Sequence, residues 1–387
     1  MESALFPTYA RYPRTLIKGK GARVWDDQGK QYLDFAAGLA VTNLGHVPEQ
    51  VKAAITAQLD QLWHTSNLFH IPNQEKAAKL LTEVSPADCV FFCNSGAEAN
   101  EAAIKLARRY HQLVAGTGRY EVITFQQSFH GRTLATLTAT GQTKIQQGFA
   151  PLPVGFQYAV LNDLDSVKAL VTDKTAAVML ELVQCEGGVL IADPTFVKEL
   201  AAYCKEQGLL LIVDEIQTGM GRTGKWFAFQ HYGIEPDIFT LAKGLGSGVP
   251  VGAMCGKGFL REAFSAGSHG STFGGTPLIM ASVVATLETM AELAAPAKAA
   301  AAGELLVKRL QEELKGLAQV KEIRGLGLII GIECDGPVAD KVAALHEAGL
   351  LVVTAGPNVI RLLPYLLVSA EEVEEAVATI ASVLRVG

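Results

Sequence analysis

The chain has 387 residues, with 33 Lys and Arg against 39 Asp and Glu and a formal net charge of −6. Apolar residues make up 49% and charged ones 19%, the balance of a packed globular protein, which excludes a disordered, collagenous or coiled-coil chain. Mild acidity with scattered charge leaves no basic stripe for nucleic acid, and no uninterrupted apolar run reaches the roughly 18–20 residues of a membrane span. In chain order, the start Met1-Glu2-Ser3-Ala4-Leu5-Phe6-Pro7 lacks the basic-then-apolar pattern of a signal peptide, so a cytoplasmic protein is expected. Val51, Ile55, Leu59 and Leu62 recur at helical spacing after Pro48-Glu49. A short apolar run at 90–93 precedes Asn94-Ser95-Gly96-Ala97-Glu98. There Ser95, with Glu98 three residues on, forms a capping-box pattern opening a helix through Ala102, Leu106 and Arg109.

Asp193-Pro194 opens another helix that ends at Gly208. Leu209-Leu210-Leu211-Ile212-Val213 is then apolar throughout, as in a strand buried on both faces of a parallel sheet. The alternation predicts an α/β domain with right-handed crossovers. The alanine-rich stretch from Ala281 to Ala302 is helical in character and carries the chain out of that domain. Gly325–Glu333, Leu350–Thr354 and Val359–Leu363 read as short strands. A final helix begins at Ser369, with Glu372 completing a capping box and Val373, Val377, Ile380 and Leu384 on one face. The expected division is an N-terminal segment, 1–50, joining a small domain, a large domain, 51–275, and a smaller α+β domain, 276–387.

Cys89, Cys93, Cys185, Cys204, Cys255 and Cys334 contain no Cys-x-x-Cys pair, and the eight histidines no His-Glu-x-x-His. Buried free thiols are expected, and no metal site. Asp214-Glu215 emerges at the carboxyl end of the 209–213 strand, where open α/β sheets bind ligands, although an acid there can equally cap the next helix. Gly219-Met220-Gly221-Arg222-Thr223-Gly224 satisfies G-x-G-x-x-G. Five residues, two of them carboxylates that would repel a pyrophosphate, separate it from the strand. It and Gly325-Leu326-Gly327 read as turns. Lys243 closes the apolar run 238–242 and enters the glycine-rich Gly244-Leu245-Gly246-Ser247-Gly248. Desolvation there lowers an amine's pKa and makes it a better nucleophile toward a carbonyl; a snorkelling lysine fits the same pattern.

Asp214-Glu215-Ile216-Gln217-Thr218-Gly219, Gly221-Arg222-Thr223-Gly224 and Thr240-Leu241-Ala242-Lys243-Gly244 together resemble the signature of class III aminotransferases. The resemblance runs from about Thr8 to the last helix. It implies the type I fold of pyridoxal phosphate enzymes: a large cofactor-binding domain with a mainly parallel central sheet, and a smaller α+β domain. Asp34–Val41, His64–Pro72, Asn94–Asn100 and Phe129-His130-Gly131-Arg132-Thr133 are most similar to the acetylornithine aminotransferases of that family. Leu182 and Cys185 depart from the family's proline and glycine, and Gly45-His46-Val47-Pro48 lacks its usual second histidine.

By that resemblance, Lys243 forms the aldimine with pyridoxal 5'-phosphate and then shuttles the proton, while Asp214 keeps the pyridinium nitrogen protonated. Gln217 bonds the ring's 3-oxygen, Phe129 lies against the ring, and Glu215 joins the cofactor site. Ser95, Gly96 and Ala97 hold the phosphate at a helix start. Thr272 reaches the phosphate of a neighbouring subunit, implying a homodimer with shared active sites. Arg132 grips the α-carboxylate of acetylornithine with its planar fork, and Ser271 lies on the substrate side. Arg361 binds 2-oxoglutarate and is neutralised by Glu186 when the other substrate is present; a purely structural Arg361–Glu186 pair is the alternative.

The implied reaction is ping-pong transfer of the δ-amino group of N2-acetyl-L-ornithine to 2-oxoglutarate, in arginine biosynthesis. Related ω-amino donors, namely succinylornithine, N-succinyl-diaminopimelate and ornithine, are the alternative. A nicotinamide dehydrogenase argued from Gly219–Gly224 is a weaker reading. So is a non-catalytic cofactor-binding protein, against which Arg132, Glu186 and Arg361 together weigh.

Overall fold

The structure, a computed structural model, describes residues 4–386. Residues 1–3 and 387 lie outside it, and with them part of the start on which the leader reading rests. The chain opens with strands β1 (Leu16–Lys20), β2 (Arg23–Asp26) and β3 (Gln31–Asp34). Next come β4 (Cys89–Cys93), β5 (Glu121–Phe125), β6 (Phe156–Ala159) and β7 (Thr175–Leu180), separated by helices. The short pair β8 (Val183–Gln184) and β9 (Leu190–Ile191) precedes β10 (Leu210–Asp214), β11 (Ile238–Leu241) and β12 (Gly252–Gly256). The last third holds β13 (Val320–Leu326), β14 (Ile329–Cys334), β15 (Leu350–Leu351), β16 (Val353–Ala355) and β17 (Val359–Leu362).

The central sheet has seven strands in the order β4-β12-β11-β10-β7-β5-β6. The pairs from β11 to β6 are parallel, and β12 runs antiparallel to both neighbours. β10 lies in the middle with all five residues buried, which is why its sequence is an unbroken apolar run rather than an alternating one. It delivers Asp214 to the sheet's carboxyl edge, opposite Thr240 of β11. An α/β protein with a mostly parallel sheet is thus what the chain builds.

Local sequence explains the helix ends. Asp193 accepts from the N–H groups of Thr195 and Phe196, Pro194 takes the first helical position, and Gly208 stops the helix at φ 64°, which glycine adopts without a side-chain clash. The box at Ser369 closes reciprocally: Ser369 N donates to Glu372 Oε2 at 2.9 Å and Glu372 N to Ser369 Oγ at 3.2 Å. Val373, Val377, Ile380 and Leu384 of that helix are fully buried, each contributing roughly 1.5–3 kcal/mol of burial.

Four elements differ from the sequence reading. Residues 350–354 are not one strand but two, β15 and β16, which belong to different sheets. The helix after Pro48 stops at Leu59, so Leu62 leaves its apolar face and is exposed. Residues 325–333 are not one strand but a hairpin, β13 to β14, turning at Gly327 with φ 57°. The alanine-rich stretch is two helices, Pro277–Glu292 and Ala295–Glu313, bent by 65°. Pro296 explains the break, since it lacks an N–H and its ring clashes with the carbonyl four residues earlier. Among the described residues no single helix is long and apolar enough to cross a membrane.

Chain ends meet. β3 pairs in parallel with β15, Leu33 opposite Leu350, completing the sheet β1-β2-β3-β15. A further sheet, β13-β14-β17-β16, carries Arg361 on β17 opposite Gly331 of β14.

Candidate active site

A cavity of about 490 Å³ opens at the carboxyl edge of the central sheet. Asp214, Gln217, Lys243, Phe129, Arg132, Ser95, Gly96 and Ala97 all line it. Asp214 enters from the end of β10 and is almost wholly buried. Its Oδ2 accepts from Asn100 Nδ2 at 2.8 Å and lies 2.8 Å from His130 Nδ1, while Oδ1 accepts from Ile216 N at 3.0 Å. Asn100 is itself fixed by the Thr240 hydroxyl at 2.7 Å. A carboxylate held by this many donors keeps one orientation, aimed across the cavity.

Lys243 follows β11 and adopts φ 41°, a left-handed conformation that costs a lysine energy. Next to it, Asn43 Nδ2 stands 2.2 Å from where a Cβ on Gly244 would be, so only glycine fits beside the lysine. The side chain is half-buried, toward the cavity. Burial there lowers its ammonium pKa, with Cys185, Glu186 and Asp214 opposing the shift. An amine that deprotonates readily is a competent nucleophile and base.

The helix Gly96–Arg109 points its first turn at the same space, where helices carry free N–H groups and the positive end of their dipole. Ser95 Oγ accepts from Glu98 N at 3.2 Å, as expected. Glu98, however, returns its carboxylate to Asn94 N at 2.6 Å, one residue before the cap. Packing also demands glycine at 96, where a Cβ would meet Ile216 Cδ1 at 2.7 Å. Arg132, exposed, sits with its guanidinium 5.6 Å from the Phe129 ring centroid.

Arg361 is 1% exposed and does not line this cavity. Its Nη1 donates to Glu186 Oε1 at 2.7 Å and to Gln217 Oε1 at 3.1 Å, so Gln217 links it to the Lys243 cavity. Burial works to raise the Glu186 pKa, but the charge and hydrogen bond of Arg361 outweigh it and hold it below the usual carboxylate range. Glu186 also borders a second cavity of about 570 Å³.

Two expected site residues, Glu215 and Ser271, lie outside the cavity wall, and Thr272, expected to serve a neighbouring subunit, lies outside that of its own chain. Glu215 is not in the cavity wall: its carboxylate takes the Thr218 hydroxyl at 2.5 Å and Phe229 N at 2.9 Å. Successive residues of an extended chain face opposite ways, so the acid beside Asp214 points into the core, where burial pushes its pKa up to about 7. Ser271 spends its hydroxyl on Asn94 Nδ2 and Gly274 N, each at 3.0 Å. Thr272 is exposed beside it, away from the cavity of its own chain. Conversely, Glu181 at the end of β7 lines the cavity and was not singled out from sequence. It accepts from Phe129 N at 2.8 Å, and burial followed by the nearby charge of Asp214 raises its pKa well above the usual range. An acid closing an all-apolar strand is the signal that pointed to Asp214, and it applies equally to Glu181.

The donor set fits pyridoxal phosphate. The start of the helix at Gly96 would hold its phosphate, the buried carboxylate of Asp214 would serve its ring nitrogen, Phe129 would lie against its ring, and Lys243, with its lowered pKa, would hold its aldehyde. The model of the family "Aminotransferase class-III" matches residues 7–384. Acetylornithine aminotransferase of Bacillus subtilis (strain 168) is 55% identical over 377 residues, 97% of this chain and 96% of that protein. The protein of that name from Halalkalibacterium halodurans is 55% identical over 382 residues, 99% of this chain and 98% of its own. A crystal structure of ornithine aminotransferase from Toxoplasma gondii ME49 superposes with a TM-score of 0.96 at 34% identity, covering 99% of this chain and 93% of that one. With its sheet edge, lysine turn and helix start arranged around one cavity, this chain belongs to the class III aminotransferases.

Proposed function

We propose that the chain transfers the δ-amino group of N2-acetyl-L-ornithine to 2-oxoglutarate, giving N-acetyl-L-glutamate 5-semialdehyde and L-glutamate. The observation that carries the reading is the Arg361–Glu186 pair at 2.7 Å, joined through Gln217 to the cavity of Lys243 and Asp214. It is a carboxylate clamp that the protein itself can mask. The choice of donor is supported by the full-length relatives bearing that name.

Bound pyridoxal phosphate supplies the electron sink that lets an amine-bearing carbon lose a proton. Lys243 is the covalent anchor, and its amine, once free, carries that proton. Asp214, fixed by Asn100 and His130, holds a proton on the ring nitrogen. Arg132 takes the donor's carboxylate at the cavity mouth with its two-pronged fork. Arg361 takes a carboxylate of 2-oxoglutarate when Glu186 swings aside, and Glu186 covers it while the donor, whose reacting δ-carbon bears no carboxylate, is bound.

We read the active form as a homodimer in the cytoplasm, with the segments 1–50, 51–275 and 276–387 acting as joining segment, cofactor domain and small domain. Trp63 and Phe273 are 59% and 62% exposed on two loops tied by Asn67 to Ser271 and Gly274 carbonyls and by Thr276 to the Trp63 carbonyl. Such an apolar face beside Thr272 suits a second copy whose phosphate site Thr272 completes. The test is the visible spectrum of the holoenzyme before and after acetylornithine without keto acid. The aldehyde-form band should bleach, and 2-oxoglutarate should restore it. A band that ignores acetylornithine but bleaches with another amine replaces the donor.

A further inference from the structure

The turn Gly221-Arg222-Thr223-Gly224 lies outside the cavity wall, yet it holds an arginine that is 0% exposed. No carboxylate of the described residues pairs with it. Nη1 donates to the carbonyls of Leu328, at 3.3 Å, and Pro364, and Nη2 to Asn43 Oδ1 at 2.7 Å. Nε has no partner. A buried cation among neutral acceptors is a poor choice for stability alone. What it offers is geometry, because a planar fork fixes several acceptors at once.

Those acceptors frame Arg361. Leu328 leads into β14 and Pro364 follows β17, and Gly331 of β14 is paired with Arg361 of β17. The β13–β14 turn is seated on the arginine's own turn: Leu328 N donates to Arg222 O at 2.9 Å, and a Cβ on Gly327 would stand 2.3 Å from the carbonyl carbon of Thr223. On the other side, Asn43 donates to Met220 O at 2.8 Å and packs on Gly244, next to Lys243. Arg222 therefore holds the strand pair bearing Arg361, while Asn43, tied separately to Met220 O, stays packed beside the turn bearing Lys243.

We propose that Arg222 is a positioning residue for the keto-acid acceptor, acting through β14 and β17 to set where Arg361 stands relative to Gln217 and Lys243. The proposal rests on the assignment of Arg361 to an acceptor carboxylate. The amine donor, held by Arg132 on the loop after β5, is independent of it.

The experiment compares holoenzyme of Arg222→Met, Arg222→Lys and Arg361→Ala. Because ping-pong kinetics report the half-reactions separately, kcat/KM is measured for each substrate. Binding of glutarate, a dicarboxylate that cannot react, is titrated by calorimetry. Arg222→Met is expected to lower kcat/KM for 2-oxoglutarate and weaken glutarate roughly tenfold or more, with kcat/KM for the donor and the visible spectrum within twofold of the parent. Arg222→Lys, which keeps the charge and reaches one acceptor, gives a smaller change in the same direction, and decides the matter if the methionine variant does not fold. Added to Arg361→Ala, either variant has no further effect on glutarate. Equal losses for donor and acceptor, or no loss at all, overturn the positioning role while Arg361→Ala alone still weakens glutarate. If Arg361→Ala binds glutarate as the parent does, the assignment of Arg361 falls, and this proposal with it.

Discussion

One nitrogen of Arg361, Nη1, stands between Glu186 at 2.7 Å and Gln217 at 3.1 Å. The arginine is enclosed, whereas the Glu186 side chain keeps 33% of its surface exposed. The pair is therefore asymmetric. The cation is fixed on β17 and the anion is free to leave, which is the arrangement a site needs if a substrate carboxylate is to replace its own.

Glu186→Ala leaves that cation without its internal partner. KM for 2-oxoglutarate is expected to fall, and L-glutamate should become a competing amine donor. Arg361→Ala should lower kcat/KM for 2-oxoglutarate by roughly 10²-fold, about 3 kcal/mol, the scale of a lost buried charge-assisted contact. Steady-state kinetics with both acids check this; unchanged glutamate reactivity in Glu186→Ala would count against the masking role.

Lys243→Ala removes both anchor and base. Turnover should drop by roughly 10⁴-fold, and pyridoxal phosphate should be removable by gel filtration, as judged by the protein's visible band. A second effect concerns the cofactor-free protein. Since burial lowers the Lys243 pKa, the unfolded chain binds a proton that the folded one gives up, so stability rises as pH climbs from the lowered value to the unfolded lysine range. Cofactor-free Lys243→Met should thus be the more stable protein at pH 7, with the gap closing near pH 10. Thermal melts of the two proteins across that range decide it.

Arg132 is exposed at the cavity mouth over Phe129, so its replacement leaves the fold alone. Arg132→Ala should cut kcat/KM for acetylornithine by roughly 10²-fold with little change in the visible spectrum. Arg132→Lys should recover only a small part, because an ammonium has no two-pronged geometry. Parent-like donor kinetics in Arg132→Ala would falsify its role.

Glu215 gives the clearest pH effect. Its folded pKa of about 7 lies above the ordinary carboxyl value of 4.5. The protonated form is favoured in the fold, and the stability it confers is complete below pH 4.5 and lost as pH rises through about 7. The integrated loss is roughly 3 kcal/mol. Glu215→Gln, which stays neutral and keeps an oxygen for Phe229 N, should flatten the stability profile between pH 5 and pH 8. Urea midpoints at several pH values measure this; parallel profiles for both proteins would show that Glu215 is ionised throughout.

Much of the frame was legible because it is local. The unbroken apolar run before Asp214, the caps at Asp193 and Ser369, and the stop at Gly208 each rest on neighbours a few residues away. Lys243 stood out as a poorly placed lysine, but the need for glycine at 244 did not, since its cause is Asn43, distant in sequence and packed on Gly244. Glu215 shows the reverse. Alternation along a strand already turns it away from Asp214, and family resemblance obscured that simpler rule. Arg222 in a glycine-rich turn carries no local sign of burial; its acceptors come from Asn43, Leu328 and Pro364.

The parallel pairing of β3 with β15 has a consequence for how the chain is made. Leu33 leaves the ribosome roughly 300 residues before its partner Leu350, and at about 5–20 residues per second that is roughly 15–60 s. During that interval β1, β2 and β3 have each other but no strand beyond β3, so an unpaired edge waits in the nascent chain. The central sheet lies wholly between residues 89 and 256 and can assemble meanwhile. The sheet β1-β2-β3-β15 can close only late, once Leu350 has emerged, and any truncation before Leu350 strands its opening segment.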